Sequence, residues 1–364
     1  MKRNRWPLYL FVMLFVFNLV CAVGQAQEMD HGQHGDQGAM AMQHESDGAD
    51  DQMDHGHGKG MWMFGYEFMG MHMEGLLDGT DSVDSRDISG ALPGPIKDPS
   101  KDYMMSPTEM RMDMHMFMLM YGLTDKISIM GMFSYLDNEM DMVMHMPTMD
   151  MFGDMDTNGL GDTVLEGLYS INDKWRAGLG LSIPTGNIDE KVTMVMQAHN
   201  GTSNTQSDML APYGMQLGTG TFDLIPKIEY GDTTGKWGWL CEALYIYHIG
   251  ENDNNYTRGD YFELSGLAQY AINNNLKLSG RLTFWHEEAI DGQDPSINPM
   301  MAPTSDPDAY GGKNVELMGG LQAAFAERHA ISFEIGAPIY QNLNGPQLET
   351  DLLIRFQYQF MWTK

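Results

Sequence analysis

Methionine and histidine recur together in this chain at spacings that suit soft metal ions. Three Met-His-Met triplets occur: Met71-His72-Met73, Met114-His115-Met116 and Met144-His145-Met146. A polar N-terminal stretch adds Met29, His31, His34, Met42, His44, Met53, His55 and His57 among Asp, Gln and Gly. Thioethers suit Cu(I), imidazole suits Cu(II), and the carboxylates nearby are harder ligands. Irregular spacing and the lack of Cys beside these residues point to loosely held copper or silver ions rather than a closed, tightly bound centre. From Met110 to Met120 every second residue is Met, with Met112, Met114, Met116 and Met118 at the centre of the ladder. An isolated Met is apolar filler. Repetition beside His makes the metal reading the stronger one for the tail, whereas filler competes with it for the ladder.

Ionisable residues form a second set. Asp162, Glu166, Arg176, Asp223, Lys227, Glu229, Glu242, Glu263, Arg281, Glu334 and Arg355 fall opposite apolar residues in alternating segments. They are candidates for lining a polar pore, or for an internal salt-bridge network that only stabilises a narrow barrel. Ser265 and Ser279 with His248 and His286 are the nearest approach to a hydrolase set. No Gly-x-Ser-x-Gly accompanies them, and the chain does not read as an enzyme.

The elements that must position these groups follow from composition and periodicity. Lys2, Arg3 and Arg5 precede an apolar run from Leu8 to Val20 and a cleavage-type Gly24-Gln25-Ala26, so 1–26 reads as a secretory signal peptide. Residues 27–60 carry almost no aliphatic side chains and read as a disordered tail. Residues 61–364 alternate apolar and polar with period two, segment after segment, the pattern of a membrane β-barrel. The net charge is −29, and removing the leader with its three positive charges gives −32, which repels nucleic acid and attracts cations. Without Cys21, Cys241 stands alone and no internal disulfide can form.

About twelve strands can be counted, from Trp62–Phe68 to Leu352–Phe360. Short turns (122–126, 172–174, 231–236, 272–275, 326–328) alternate with longer polar loops (75–107, 137–158, 185–216, 250–260, 288–313, 341–347). An even count puts both termini, and the tail, on the periplasmic side. The Met ladder is expected to face the lumen. Glu109, Arg111 and Asp113 share the opposite face with Phe117, so they must sit above the hydrocarbon, because charges on the lipid face cost about 2–4 kcal/mol at midplane. The three triplets should meet on one wall near the outer mouth.

Four motifs carry a family likeness: Gly159-Leu160-Gly161-Asp162, Leu181-Ser182-Ile183-Pro184-Thr185-Gly186, Met215-Gln216-Leu217-Gly218-Thr219-Gly220-Thr221 and Gly345-Pro346-Gln347-Leu348-Glu349-Thr350-Asp351. From Trp62 onward the chain resembles the outer-membrane proteins named for meta-pathway phenol degradation, a transporter-like barrel family. That resemblance implies a barrel carrying a small hydrophobic or aromatic compound. The tail is similar in composition to that of copper-resistance outer-membrane proteins of the B type. Three functions are therefore in view. The first is a channel or binding protein in copper or silver handling. The second is a passive transporter of small hydrophobic compounds, and the third a periplasmic metal buffer anchored by its barrel. The expected partners are the outer-membrane bilayer and metal ions or a small solute, not nucleic acid.

Overall fold

The computed structural model describes residues 58–90, 103–146, 148–326 and 328–363. The leader and the metal-ligand candidates of the tail lie outside them. Period-two alternation becomes strand throughout. In chain order these are β1 (Met61–Gly79), β2 (Asp81–Val83), β3 (Ser106–Gly122), β4 (Ile127–His145), β5 (Asp150–Leu160), β6 (Thr163–Ser170), β7 (Trp175–Ile183), β8 (Lys191–Ala198) and β9 (Ser203–Leu210). They continue as β10 (Phe222–Thr234), β11 (Trp237–Ile249), β12 (Tyr256–Thr257), β13 (Tyr261–Asn273), β14 (Leu276–Glu287), β15 (Asp291–Gly292), β16 (Gly312–Phe325) and β17 (His329–Thr363).

Eleven strands close a ring of antiparallel pairs: β1, β3, β4, β6, β7, β10, β11, β13, β14, β16 and β17, with β17 returning to β1. Four more, β2, β5, β8 and β9, hang off this ring. The expected count of about twelve meets eleven strands in the ring, because the last one doubles back and lines it twice. β17 is 35 residues long. Its first half pairs with β16, from His329 to Leu343, and its second half with β1, from Leu343 to Thr363. The two halves run in opposite directions and touch each other. Thr350 N donates to Gln341 Oε1 at 3.0 Å, and Met361 N to Arg328 O at 3.0 Å. Gly345, with φ of 91°, lies in the segment between them. Two of the sequence segments are thus the antiparallel arms of one unbroken run of strand residues.

Three expected loops are corrected, one of them 341–347, which lies wholly within β17. Residues 137–158 hold the upper part of β4 and most of β5, and 185–216 hold the β8–β9 hairpin. The alternation there pairs Met with acid (Met140 and Met142 against Glu139 and Asp141), which looks like polar loop when one expects aliphatic side chains against lipid. All five expected short turns lie at one end of the ring, and the long connections at the other.

The outer surface explains the alternation. Phe117, Leu119, Ile129, Phe133, Leu165, Leu179, Leu278, Leu317 and Phe333 are each 45–55% exposed around the ring. A continuous belt of this kind is stable only against hydrocarbon. Crossing is by strands, and no helix among the described residues is long and apolar enough to span a membrane. Above the belt the outer faces of β3 and β4 turn acidic. Glu109 lies beside Asp141, Arg111 beside Glu139, and Asp113 beside Asp137. The charges sharing a face with Phe117 therefore sit beyond the apolar belt.

A lipid-facing belt makes a direct prediction. Leu179 is 55% exposed at the middle of β7. Leu179→Arg should cost about 2–4 kcal/mol if it faces the bilayer midplane, against almost nothing on a wetted surface. Urea unfolding in lipid vesicles measures it, and a loss within about 0.5 kcal/mol would place Leu179 in water.

Candidate functional site: a methionine wall facing a charged wall

The side-chain parity of a strand decides where each ligand candidate points. β1, β3, β4, β5 and β8 carry twenty methionines between them, all of one parity. In β3, Met110, Met116 and Met120 are 6–8% exposed while Phe117 and Leu119 are 45% exposed, so the ladder faces inward. Register extends it sideways. At the turn end, Met361, Met63, Met120 and Met130 form one row across four strands. Near the loop end, Met73, Met110, Met140 and Met155 form another. Between these rows β3 presents Met112, Met114, Met116 and Met118, with Met69 and Met71 beside Met114 and Met112. Ten residues separate Met110 from Met120, so the wall runs about 34 Å along the strand. It opens at the loop end into an apolar cluster with Met142, Met144, Met151, Met194, Met196 and Met215 at its centre.

The same parity sends the histidines to the other face. His115 Nδ1 lies 2.8 Å from the Tyr66 hydroxyl, and its ring packs on Phe68. His72 lies 3.7 Å from Glu109 and groups with Glu74 and Asp351, their ligand atoms within 4.8 Å of one another. His145 Nδ1 donates to Asp150 Oδ1 at 2.9 Å, and its Nε2 lies 2.9 Å from Ser85 Oγ. That hydrogen bond, with Arg86 alongside, holds the Asp150 carboxyl below its usual range. The Met-His-Met triplets are thus not joint ligand sets. Met71, Met73, Met114, Met116 and Met144 belong to the inner wall, their histidines lie outside, and Met146 is exposed just past β4.

The ionisable residues fill the rest of the interior and find one another. Lys227 Nζ lies 2.7 Å from Glu166, 3.1 Å from Glu229 and 3.7 Å from Glu242. Arg176 pairs with Glu229 at 2.8 Å, Arg281 with Glu334 at 3.0 Å, and Arg355 with Glu67 at 3.0 Å. Tyr261 donates to Glu263, and His248 to Asp223 at 2.7 Å. Ser279 donates to Glu334 at 3.3 Å, so neither it nor His248 is placed as nucleophile or base for the other. Their arrangement is a cross-linked, net acidic wall opposite the methionines, in which each cation is held by at least one carboxylate.

Asp162 does something else. β5 and β6 both pair with β4, one with its upper and one with its lower half, and the ring forks between them. β6 goes on to β7, while β5 turns aside to β8 and β9. Asp162 sits at the fork. Its Oδ1 accepts from Gly186 N at 2.9 Å, and its Oδ2 from Thr219 N at 2.8 Å and Thr219 Oγ1 at 3.1 Å. Thr221 Oγ1 donates to Asp223 Oδ1 at 2.6 Å, and Thr219 Oγ1 lies 3.1 Å from Asp223 Oδ2, so its single proton is shared between the two aspartates. Three of the four motifs that carry the family likeness meet here.

No family model matches the chain, and no curated protein matches it. Solved structures do. The COG4313 outer membrane channel from Pseudomonas putida F1 is 12% identical, covers 84% of this chain and 96% of its own, and gives a TM-score of 0.53. The P. putida toluene transporter TodX (11% identity, 88% and 93% covered) and the Ralstonia pickettii toluene transporter TbuX (10%, 84% and 90%) score 0.46 and 0.42. At these identities the first likeness establishes the barrel fold and nothing finer. The copper-resistance likeness of the tail gains no support from them.

Parity also names the residues that motif reading missed. Met63, Met130, Met140, Met151, Met155, Met194 and Met196 belong to the wall though no His adjoins most of them. The signal available was their shared parity in successive strands, with aliphatic and aromatic residues on the other face.

Proposed function

We propose that this chain is an outer-membrane channel for small, uncharged apolar solutes, monoaromatic hydrocarbons among them. The observation that carries the proposal is the methionine-lined inner face, running from the turn end to an apolar cluster at the loop end. Thioether side chains are polarizable and conformationally adaptable, and they contact aromatic rings favourably. Such a wall accepts an apolar solute without fixing its shape. The cations of the charged wall opposite are each held by a carboxylate, which leaves none of them free to hold a passing anion. The barrel that this one resembles in fold, an outer membrane channel from P. putida F1, leans the same way. Short turns then face the periplasm and the long loops the exterior.

Uptake by intact cells with a lipopolysaccharide outer membrane tests it. Expression should raise the initial rate of labelled toluene entry several-fold over vector alone, and leave the entry of a small sugar unchanged. In a Met112→Gln/Met116→Gln variant the toluene gain should fall by at least half, because two amides interrupt the apolar face. Equal toluene entry with and without the protein would remove the proposal.

A further inference from the structure

We infer that the loop-end part of the methionine wall is a binding site for a soft monovalent cation, Ag(I) or Cu(I), formed by Met110, Met112, Met140 and Met155 with the Asn138 amide oxygen. Binding there is a property separate from solute passage and is measured without flux.

Three observations converge on it. The first is the choice of residue. If the inner face needed only apolar bulk, Leu and Ile would serve, and the chain uses them freely on the outer faces of β3 and β4: Leu119, Ile127 and Ile129. All sixteen methionines of β1, β3 and β4 lie on the inner face and none on the outer. The second is register. Met110 and Met112 are successive inward residues of β3, Met140 lies directly across from Met110 on β4, and Met155 directly across from Met140 on β5. Opposed residues have Cβ atoms about 4.5–5.5 Å apart, so neighbouring thioethers can reach one ion. Met140 and Met155 are 1% and 2% exposed, which removes competing water.

The third is an orphaned oxygen. Asn138 lies across from Met112 and is fully buried, and its Oδ1 has no hydrogen-bond partner. Its orientation is fixed by its neighbours. Thr157 Oγ1 donates to Met215 O at 2.7 Å, so it can only accept from Asn138 Nδ2, at 3.4 Å. That leaves the amide oxygen without a donor, on a residue flanked by Met112 across the β3 pair and Met140 next on its own face. A buried acceptor without a donor is costly and calls for a partner. Thioethers select Cu(I) and its like over harder ions, and an amide oxygen can complete the shell. The acidic outer faces above the apolar belt raise the local cation concentration.

The test is titration of the full chain in detergent with Ag(I), and with Cu(I) under reductant, against a competing chelator, with Zn(II) as the hard-ion comparison. Leu keeps the volume and apolarity of Met. In Met110→Leu/Met112→Leu/Met140→Leu one tight Ag(I) site per chain should be lost or weakened at least tenfold. It should persist in Met63→Leu/Met120→Leu/Met130→Leu, which removes as many thioethers at the turn end. Asn138→Leu should weaken it several-fold. Equal loss in both triple variants, or tight binding unchanged in all three, overturns the site. A second measurement does not depend on the variants folding. In the unsubstituted chain labelled with selenomethionine, X-ray absorption at the silver edge should show a selenium shell. A shell of oxygen and nitrogen alone overturns it.

Discussion

Replacing Lys227 by Met should lower the stability of the barrel by about 3–5 kcal/mol, the cost of leaving buried charges unpaired. Lys227 is 15% exposed and serves three carboxylates, Glu166, Glu229 and Glu242, which are 10%, 8% and 25% exposed. Arg176 remains for Glu229, and the other two lose their cation. Adding Glu242→Gln should restore part of the loss, because one surplus charge goes with it. The midpoint of urea unfolding, followed by the gel mobility of the folded barrel, reads both variants. The size of the effect also decides what the charged wall is. A loss below about 1 kcal/mol is the range of a water-screened pair, and would mean that the wall lines an aqueous pore.

Asp162→Ala should cost a further large amount at a different place. Three donors lose a charged acceptor, and hydrogen bonds to charged groups contribute about 1.5–3 kcal/mol each before water replaces part of them. The expected loss is roughly 2–5 kcal/mol, together with faster proteolysis between residues 185 and 220, where the fork is stapled. Gly186→Ala should act in the same direction for a steric reason. A Cβ there would stand 2.5 Å from Leu217 O and 2.7 Å from Gly218 Cα, and both are backbone. If Asp162→Ala changed neither the unfolding midpoint nor the cleavage rate, the fork would be held by strand pairing alone and the aspartate would be free to serve the lumen. It was as a lumenal charge that the sequence placed Asp162, and its three backbone and hydroxyl partners make it a staple instead.

Much of the fold is legible without coordinates, because a strand has only two faces. Leu179 and Leu181 against Gly178, Gly180 and Ser182, or Leu278 and Leu282 against Lys277, Ser279 and Arg281, state which side meets lipid. The turns at 172–174 and 326–328 follow from where that alternation stops. The inward direction of the Met ladder was legible for the same reason, since Phe117 and Leu119 claim the lipid side. Where the outer face rises above the membrane the rule fails. Glu139 and Asp141 replace aliphatic residues there, and strand looks like loop.

The sequence by itself determined the period-two alternation, the concentration of methionine in the first half and the inward charges of the second. Only the tertiary structure decided which of these meet. Register aligned Met73, Met110, Met140 and Met155, residues up to 82 positions apart, because antiparallel pairing fixes neighbours by strand offset and not by local motif. The same pairing parted His72, His115 and His145 from the methionines beside them, since adjacent residues of a strand point to opposite faces. The chain wrote Met-His-Met as one motif, and the sheet made it an inner thioether wall with imidazoles on its outer face.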